Sequence, residues 1–161
     1  MPNKARETLV RAIGTAVHNY REATDAFNDA ACAYMGINRT DLRCAEVIAR
    51  RGPIAASDLA EAAGLTRGAI TTVLDRIEAA KIARRRPDPH DRRGVLVDLT
   101  EQGHKSIETL WGEYFRSLGS FYARYSEAEL QTILEFLERA CLTHQQQAER
   151  IKKLRKRSRR Q

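Results

Sequence analysis

Five arginines fall within ten residues, Arg84, Arg85, Arg86, Arg92 and Arg93, and just ahead of them stands a polar set of Thr66, Arg67, Gly68, Thr71, Thr72 and Arg76. A guanidinium fork donates two parallel hydrogen bonds to a guanine edge or to a phosphate. Threonine can hydrogen-bond a base or touch the thymine methyl, and glycine permits close backbone approach. This is chemistry of recognition, directed at a polyanion, and not of bond making. The chain has no phosphate-cradling glycine loop, no nucleophile elbow and no metal-ligand cluster, so we expect no enzyme, no cofactor and no metal. Cys141 and His144 stand three apart, but no two further ligands accompany them.

The elements that must carry these residues follow from periodicity. Ile70, Val73, Leu74 and Ile77 recur at spacings of three and four, so one face of a short helix is apolar while Arg67, Thr71, Thr72 and Arg76 lie elsewhere on it. Val95, Val97 and Leu99 alternate with Leu96 and Asp98, the period of a half-buried strand. Between Ile82 and Val95, Pro87, Pro89 and Gly94 interrupt regular structure and predict a hairpin whose arginines stand at or near its tip. A helix that presents one face to the major groove, followed by a basic ribbon able to enter a minor groove, is a device for holding duplex DNA.

Residues 38 to 103 resemble the winged helix-turn-helix of the MarR family of bacterial transcriptional regulators. The resemblance rests on the ordered run Gly52-Pro53, Ser57-Asp58-Leu59-Ala60, Gly64-Leu65-Thr66, Thr71, Leu74-Asp75-Arg76-Ile77-Glu78, Arg84-Arg85, Asp88-Pro89, Asp91-Arg92-Arg93 and Leu99-Thr100. It implies a homodimer in which each subunit places the helix beginning near Thr66 in the major groove and the 84 to 95 wing in the adjoining minor groove. By position, Asp91 and Arg93 match the family's Asp-x-Arg wing element, which makes Arg93 the minor-groove contact and Asp91 its orienting partner. Arg92 and the arginines at 84 to 86, Arg84 and Arg86 among them, are then assigned to phosphates, which strengthen binding without reading sequence. The chain departs from the pattern at Lys81, where the family usually has glycine. A left-handed backbone there costs a lysine on the order of 1 kcal/mol, unless the turn is built differently. Cys44 also sits near a position where the family commonly has glutamine.

Beyond this reading head the pattern is helical. Leu9, Ile13, Val17, Tyr20, Phe27 and Ala31 mark one side of a long helix from Lys4 to Tyr34. Ile107, Leu110, Trp111, Tyr114, Leu118, Phe121, Tyr122 and Tyr125 form a second stripe, and Ser126-Glu127-Ala128-Glu129 reads as a capping box opening a last helix with Leu130, Ile133, Leu134, Leu137 and Cys141. These stripes exceed what a reading head of about 60 residues can cover, which favours pairing with a second copy. The expected fold is mainly α with a small β-hairpin wing: an N-terminal dimerisation helix over 1–36, the winged helix-turn-helix over 37–100, C-terminal dimerisation helices over 101–149 and a flexible basic tail over 150–161. Two heads related by a two-fold axis select an inverted repeat with half-site centres roughly ten base pairs, or a multiple of that, apart.

The charge is unevenly placed. The net +7 of the 161 residues drops to −1 without the tail from Arg150 onward, which holds eight basic residues and no acid. Residues 39–93 hold twelve basic and eight acidic side chains, whereas 94–149 hold four and nine, so the positive field sits on the reading head and the tail. No signal-type apolar run and no apolar span near twenty residues occurs, so we expect a cytoplasmic protein without membrane contact. The family resemblance further implies an effector crevice where long helices meet the reading head. His18, Tyr20, Arg21, Cys44, Trp111, Tyr114 and Phe115 are its expected lining, suited to a small aromatic or phenolic molecule, although an aromatic stripe at helical spacing more often serves a core or interface. Cys32, Cys44 and Cys141 form no CxxC pair and have no local basic cluster. Two alternatives stay open at this point: a thiol-based redox-sensing regulator, and a basic architectural protein that coats DNA without choosing sites.

Overall fold

The structure, a computed structural model, describes residues 4–89 and 94–158. The chain divides into two compact units, Met1–Glu113 and Tyr114–Gln161.

In the first unit, α1 spans Lys4–Met35 and buries only Ala31, Cys32 and Met35, so its last turns alone pack into the core. Gly36, at φ 66°, turns the chain out of that helix. Asn38 then caps α2, Arg39–Arg51, by accepting from the Thr40 and Asp41 amides at 2.9 and 3.0 Å. A two-residue strand β1, Ile54–Ala55, precedes α3, Ala56–Ala62, and the short link through Gly64 leads to α4, Arg67–Ala79. The hairpin strands are β2, Ala83–Pro87, and β3, Val95–Leu99, with an Asp88 amide to Gly94 carbonyl bond of 3.0 Å closing the pair. The sheet is antiparallel in the order β1-β3-β2, with Ile54 opposite Val97 and Arg85 opposite Val97 on the other edge. Strand β1 escapes sequence reading because two residues cannot display a period.

The core draws one stripe from each element: Leu42, Cys44, Ala45 and Ile48 from α2, Leu59 from α3, Ile70, Val73, Leu74 and Ile77 from α4, and Val97 and Leu99 from β3. The helical and alternating periods read from sequence are therefore the buried ones. Val95 is the exception in its strand, exposed where the hairpin leaves the core. Helix α5, Glu101–Ile107, is capped by Thr100, whose hydroxyl also donates to the Lys81 carbonyl. It lays Gly103 against the Ile82 backbone so closely that a Cβ would collide with that carbonyl. A π-helical turn, Glu108–Gly112, follows. Ile107, Leu110 and Trp111 pack on the core, and the Trp111 ring meets Phe27 edge-on with centroids 5.6 Å apart.

The second unit contains most of α6, Glu113–Tyr122, and all of α7, Glu127–Ser158. The capping box forms: Ser126 and Glu129 exchange hydrogen bonds, and the Ser126 hydroxyl and amide hold the Glu129 carboxyl below the ordinary carboxylate range. Helix α7 continues through the basic segment to Ser158, where composition predicts a loose end from 150 onward. None of the residues 114–154 is buried in the single chain. No described helix is long and apolar enough to cross a membrane.

Candidate nucleic-acid interface

Helix α4 owes its start to Thr66, whose hydroxyl accepts from the Ala69 amide at 3.2 Å. With Ile70, Val73, Leu74 and Ile77 buried, Arg67, Gly68, Thr71, Thr72, Asp75 and Arg76 are exposed. Arg67 stands in the first turn with no partner among the described residues, its guanidinium available to a ligand. The Thr71 hydroxyl bonds back to the Arg67 carbonyl at 3.3 Å.

Arg76 departs from the expectation of a groove-reading side chain. Its Nε and Nη2 grip the carboxylate of Asp41 on α2, with Nε to Oδ2 at 2.9 Å and Nη2 to Oδ1 at 2.5 Å, and Asp41 is 1% exposed. The Asp41 hydrogen bond pushes the Arg76 guanidinium pKa up. An arginine held this way ties α4 to α2. On the same α2, Arg43 donates to the Ala63 carbonyl at the end of α3 and so pins the turn of the helix-turn-helix.

The turn leaving α4 explains Lys81. Lys81 N–H bonds to the Glu78 carbonyl and Ile82 N–H to the Ile77 carbonyl, each at 2.9 Å, a Schellman ending that places residue 81 in the left-handed region. Its φ is 57°. The turn therefore has the conformation that glycine would take cheaply, and lysine occupies it.

Alternation along β2 sorts the arginine triplet. Arg84 and Arg86 lie on the outer face beside Leu96 and Asp98, and Arg85 lies on the inner face toward α4. Arg84 is exposed and has no partner among the described residues. Arg86 approaches Asp98 Oδ2 only to 3.9 Å, and its Nε is buried without a hydrogen bond. Arg85, by contrast, is fully engaged: its amide donates to Glu78 Oε1 at 2.6 Å, and its guanidinium reaches Glu78, Asp75 and the Thr71 carbonyl. Asp91, Arg92 and Arg93, the expected tip of the wing, lie outside the described residues.

Sequence reading missed Asp41, Arg43, Asp75, Glu78 and the inward role of Arg85. A signal existed for part of this, since Asp75 and Glu78 are three apart on one helix face and strand alternation separates Arg85 from its neighbours. Nothing in the sequence links Asp41 to Arg76 across 35 residues.

The residues expected to line an effector crevice fall in both units. On α1, Tyr20 is exposed, and His18 pairs with Glu22 at 3.2 Å and with Arg21 at 3.3 Å. Trp111 is engaged with Phe27, and Tyr114 with Phe115 in the second unit, ring centroids 5.5 Å apart. Cys44 corrects the expectation: it is 0% exposed within the core and offers a ligand no surface. Burial pushes its thiol up to about 11 and raises that of Cys32 as well, the opposite of an activated thiolate. Among the described residues no cluster of three or more His, Cys, Asp or Glu side chains is placed to hold a metal.

A capped helix held by two supporting helices, followed by a three-stranded antiparallel wing, defines a winged helix-turn-helix DNA-binding protein. Comparison with known proteins agrees, because the MarR family model matches residues 35–94. The HTH-type transcriptional regulator YcgE of Bacillus subtilis is 33% identical over 141 residues, covering 86% of this chain and 92% of its own. This chain belongs to the MarR family of transcriptional regulators. Among solved structures, the transcriptional regulator PA4135 superposes with a TM-score of 0.56 at 28% identity, covering 86% of this chain and 95% of that one. A mutant MarR from E. coli, crystallised with operator DNA, shares the fold with a TM-score of 0.57 at 23% identity, over 81% of this chain and 94% of that one.

Proposed function

We propose that this regulator acts in the cytoplasm as a homodimeric repressor that binds an inverted-repeat operator and releases it on binding a small aromatic or phenolic effector. The observation that carries the DNA-reading part is the exposed front of α4, where Arg67, Gly68, Thr71 and Thr72 stand beside a capping Thr66 and carry no structural duty that consumes the Arg67 guanidinium. In this reading those residues enter the major groove, Arg84 and Arg86 meet phosphates from the outer face of β2, Arg92 meets a phosphate as well, and Arg93, oriented by Asp91, supplies the minor-groove contact. Arg76 acts from behind, holding the helix to α2. Support for the dimer comes from apolar side chains left uncovered on α1, α6 and α7, including Leu9, Val17, Phe121, Leu134 and Leu137, each more than 40% exposed. A dimer seated on a promoter excludes polymerase, which is the sense in which it represses. The effector reading draws on His18, Tyr20, Arg21, Trp111, Tyr114 and Phe115 and leaves out the enclosed Cys44.

The test is selection of duplexes from a random pool at near-physiological salt. A recovered inverted repeat supports the proposal, and binding without any recovered consensus converts it to the architectural reading. With the selected duplex in hand, Arg93→Ala is expected to weaken binding by about 1–3 kcal/mol while sedimentation still reports a dimer. Unchanged affinity would remove Arg93 from the wing contact.

A further inference from the structure

Among the described residues of the basic segment, Arg85 is the most heavily bonded arginine. Four of its donor contacts end on α4: the amide and Nη1 on the two oxygens of Glu78 at 2.6 and 2.5 Å, and Nη2 on Asp75 Oδ1 at 2.7 Å and on the Thr71 carbonyl at 3.1 Å. Thr71, Asp75 and Glu78 follow one another at spacings of four and three, so they form a single line along the helix. Strand β2 is the free edge of the sheet, and the Glu78 carboxylate takes up an amide that this edge would otherwise leave open. The helix that faces the major groove and the strand that leads into the wing are thus joined by one guanidinium.

The local charge argues against a phosphate contact by Arg85 itself. One guanidinium between two carboxylates leaves a trio of net −1, the wrong sign for a phosphate. The two acids also carry a cost next to DNA, because Asp75, 62% exposed in its side chain, stands on the same helix as Arg67 and Thr72. We propose that Arg85 is a positioning residue, locking the wing to the recognition helix, and that this clasp sets the register between the two groove readers and thereby the specificity of the regulator. Without it the two readers move independently, each can still meet phosphates, and the preference for one sequence declines. The inference rests on the reading of α4 and the wing as the DNA-facing surface.

The two roles for Arg85 predict opposite signs in one variant. Asp75→Asn with Glu78→Gln removes two negative charges and leaves Arg85 in place. A phosphate-contacting Arg85 would then bind every duplex more tightly. The clasp predicts tighter binding to an unselected duplex and weaker binding to one recovered from a random pool, so the ratio of the two affinities falls about tenfold or more. Arg85→Ala is expected to lower that ratio similarly with no change in the slope of log affinity against log salt, whereas loss of a phosphate contact lowers the slope by about one. Combining Arg85→Ala with the double substitution should add little to either alone. Arg85→Lys, which keeps the charge and reaches one carboxylate, should fall between and serves if the alanine variant fails to fold; circular dichroism at the assay temperature checks each protein. Parallel tightening on both duplexes, a slope reduced by one, or additive effects would each overturn the clasp while leaving the DNA-reading function intact. A wild-type protein that prefers no duplex would overturn the reading of the surface, and the clasp with it.

Discussion

The reading head and the terminal helices are built from similar amphipathic stripes, yet one closes on itself and the other does not. Ile77, Leu59 and Val97 are fully buried within the single chain, whereas Leu134 and Leu137 of α7 are each 48% exposed and Leu9 of α1 is 61% exposed. The difference lies in connectivity. Short links bring α2, α3, α4 and the sheet together at several angles, so each stripe meets another. A helix of 32 residues such as α7, roughly 48 Å long, runs beyond anything a neighbouring turn can reach. An apolar stripe therefore predicts burial but not by what.

Substitutions of equal chemistry at the two places separate the cases. Ile77→Ala should destabilise the reading head by about 2–5 kcal/mol in denaturant melts, because the lost methylenes leave a cavity. Leu137→Ala should cost little at high dilution. If a second copy covers α7, its cost grows with protein concentration and the sedimentation coefficient falls; a loss as large as that of Ile77→Ala at all concentrations would show that the stripe is covered within one chain.

The next effect probes the joint that orients α4. Asp41→Ala is expected to cost about 1–3 kcal/mol by stranding an arginine whose hydrogen bonds it accepts, with the Arg76 side chain, 42% exposed, recovering part of that from water. Asp41→Asn should lie between wild type and alanine. Equal stability of all three would mean that the pair contributes nothing to holding α2 and α4.

Lys81→Gly sharpens the comparison from the other direction, since it improves a turn of the reading head. Relief of the left-handed backbone, partly offset by the freedom glycine adds to the unfolded chain, should raise stability by up to about 1 kcal/mol. A loss would mean that the lysine side chain contributes more than its backbone costs.

The smallest effect concerns pH. Burial raises the Cys44 thiol from its ordinary value of 9.0 to about 11, so the folded state favours the protonated form. That stabilisation is complete below about pH 9 and is lost as pH rises toward 11. Cys44→Ala should flatten the alkaline limb of the stability curve, and native alkylation at pH 8 should leave Cys44 unmodified. Rapid labelling of Cys44 in the folded protein would reopen the redox reading.

Much of the reading head is legible in the sequence because its signals are local. The stripe of α4, the alternation of β3 and, beyond the reading head, the capping box at Ser126 all depend on residues within a turn or two of each other. Arg76 and Arg85 are where local reasoning fails. Both look like DNA contacts, and both are held by carboxylates that the fold brings to them.

Sequence alone determined the periods, caps and turns of this protein, and the types of side chain that can meet a polyanion, since these follow from backbone geometry and the chemistry of each residue. Only the tertiary structure decided which arginines are free. An arginine is available to DNA or already bound according to the acids within about 4 Å of it in space, and those of Arg76 and Arg85 come from another helix and across a turn.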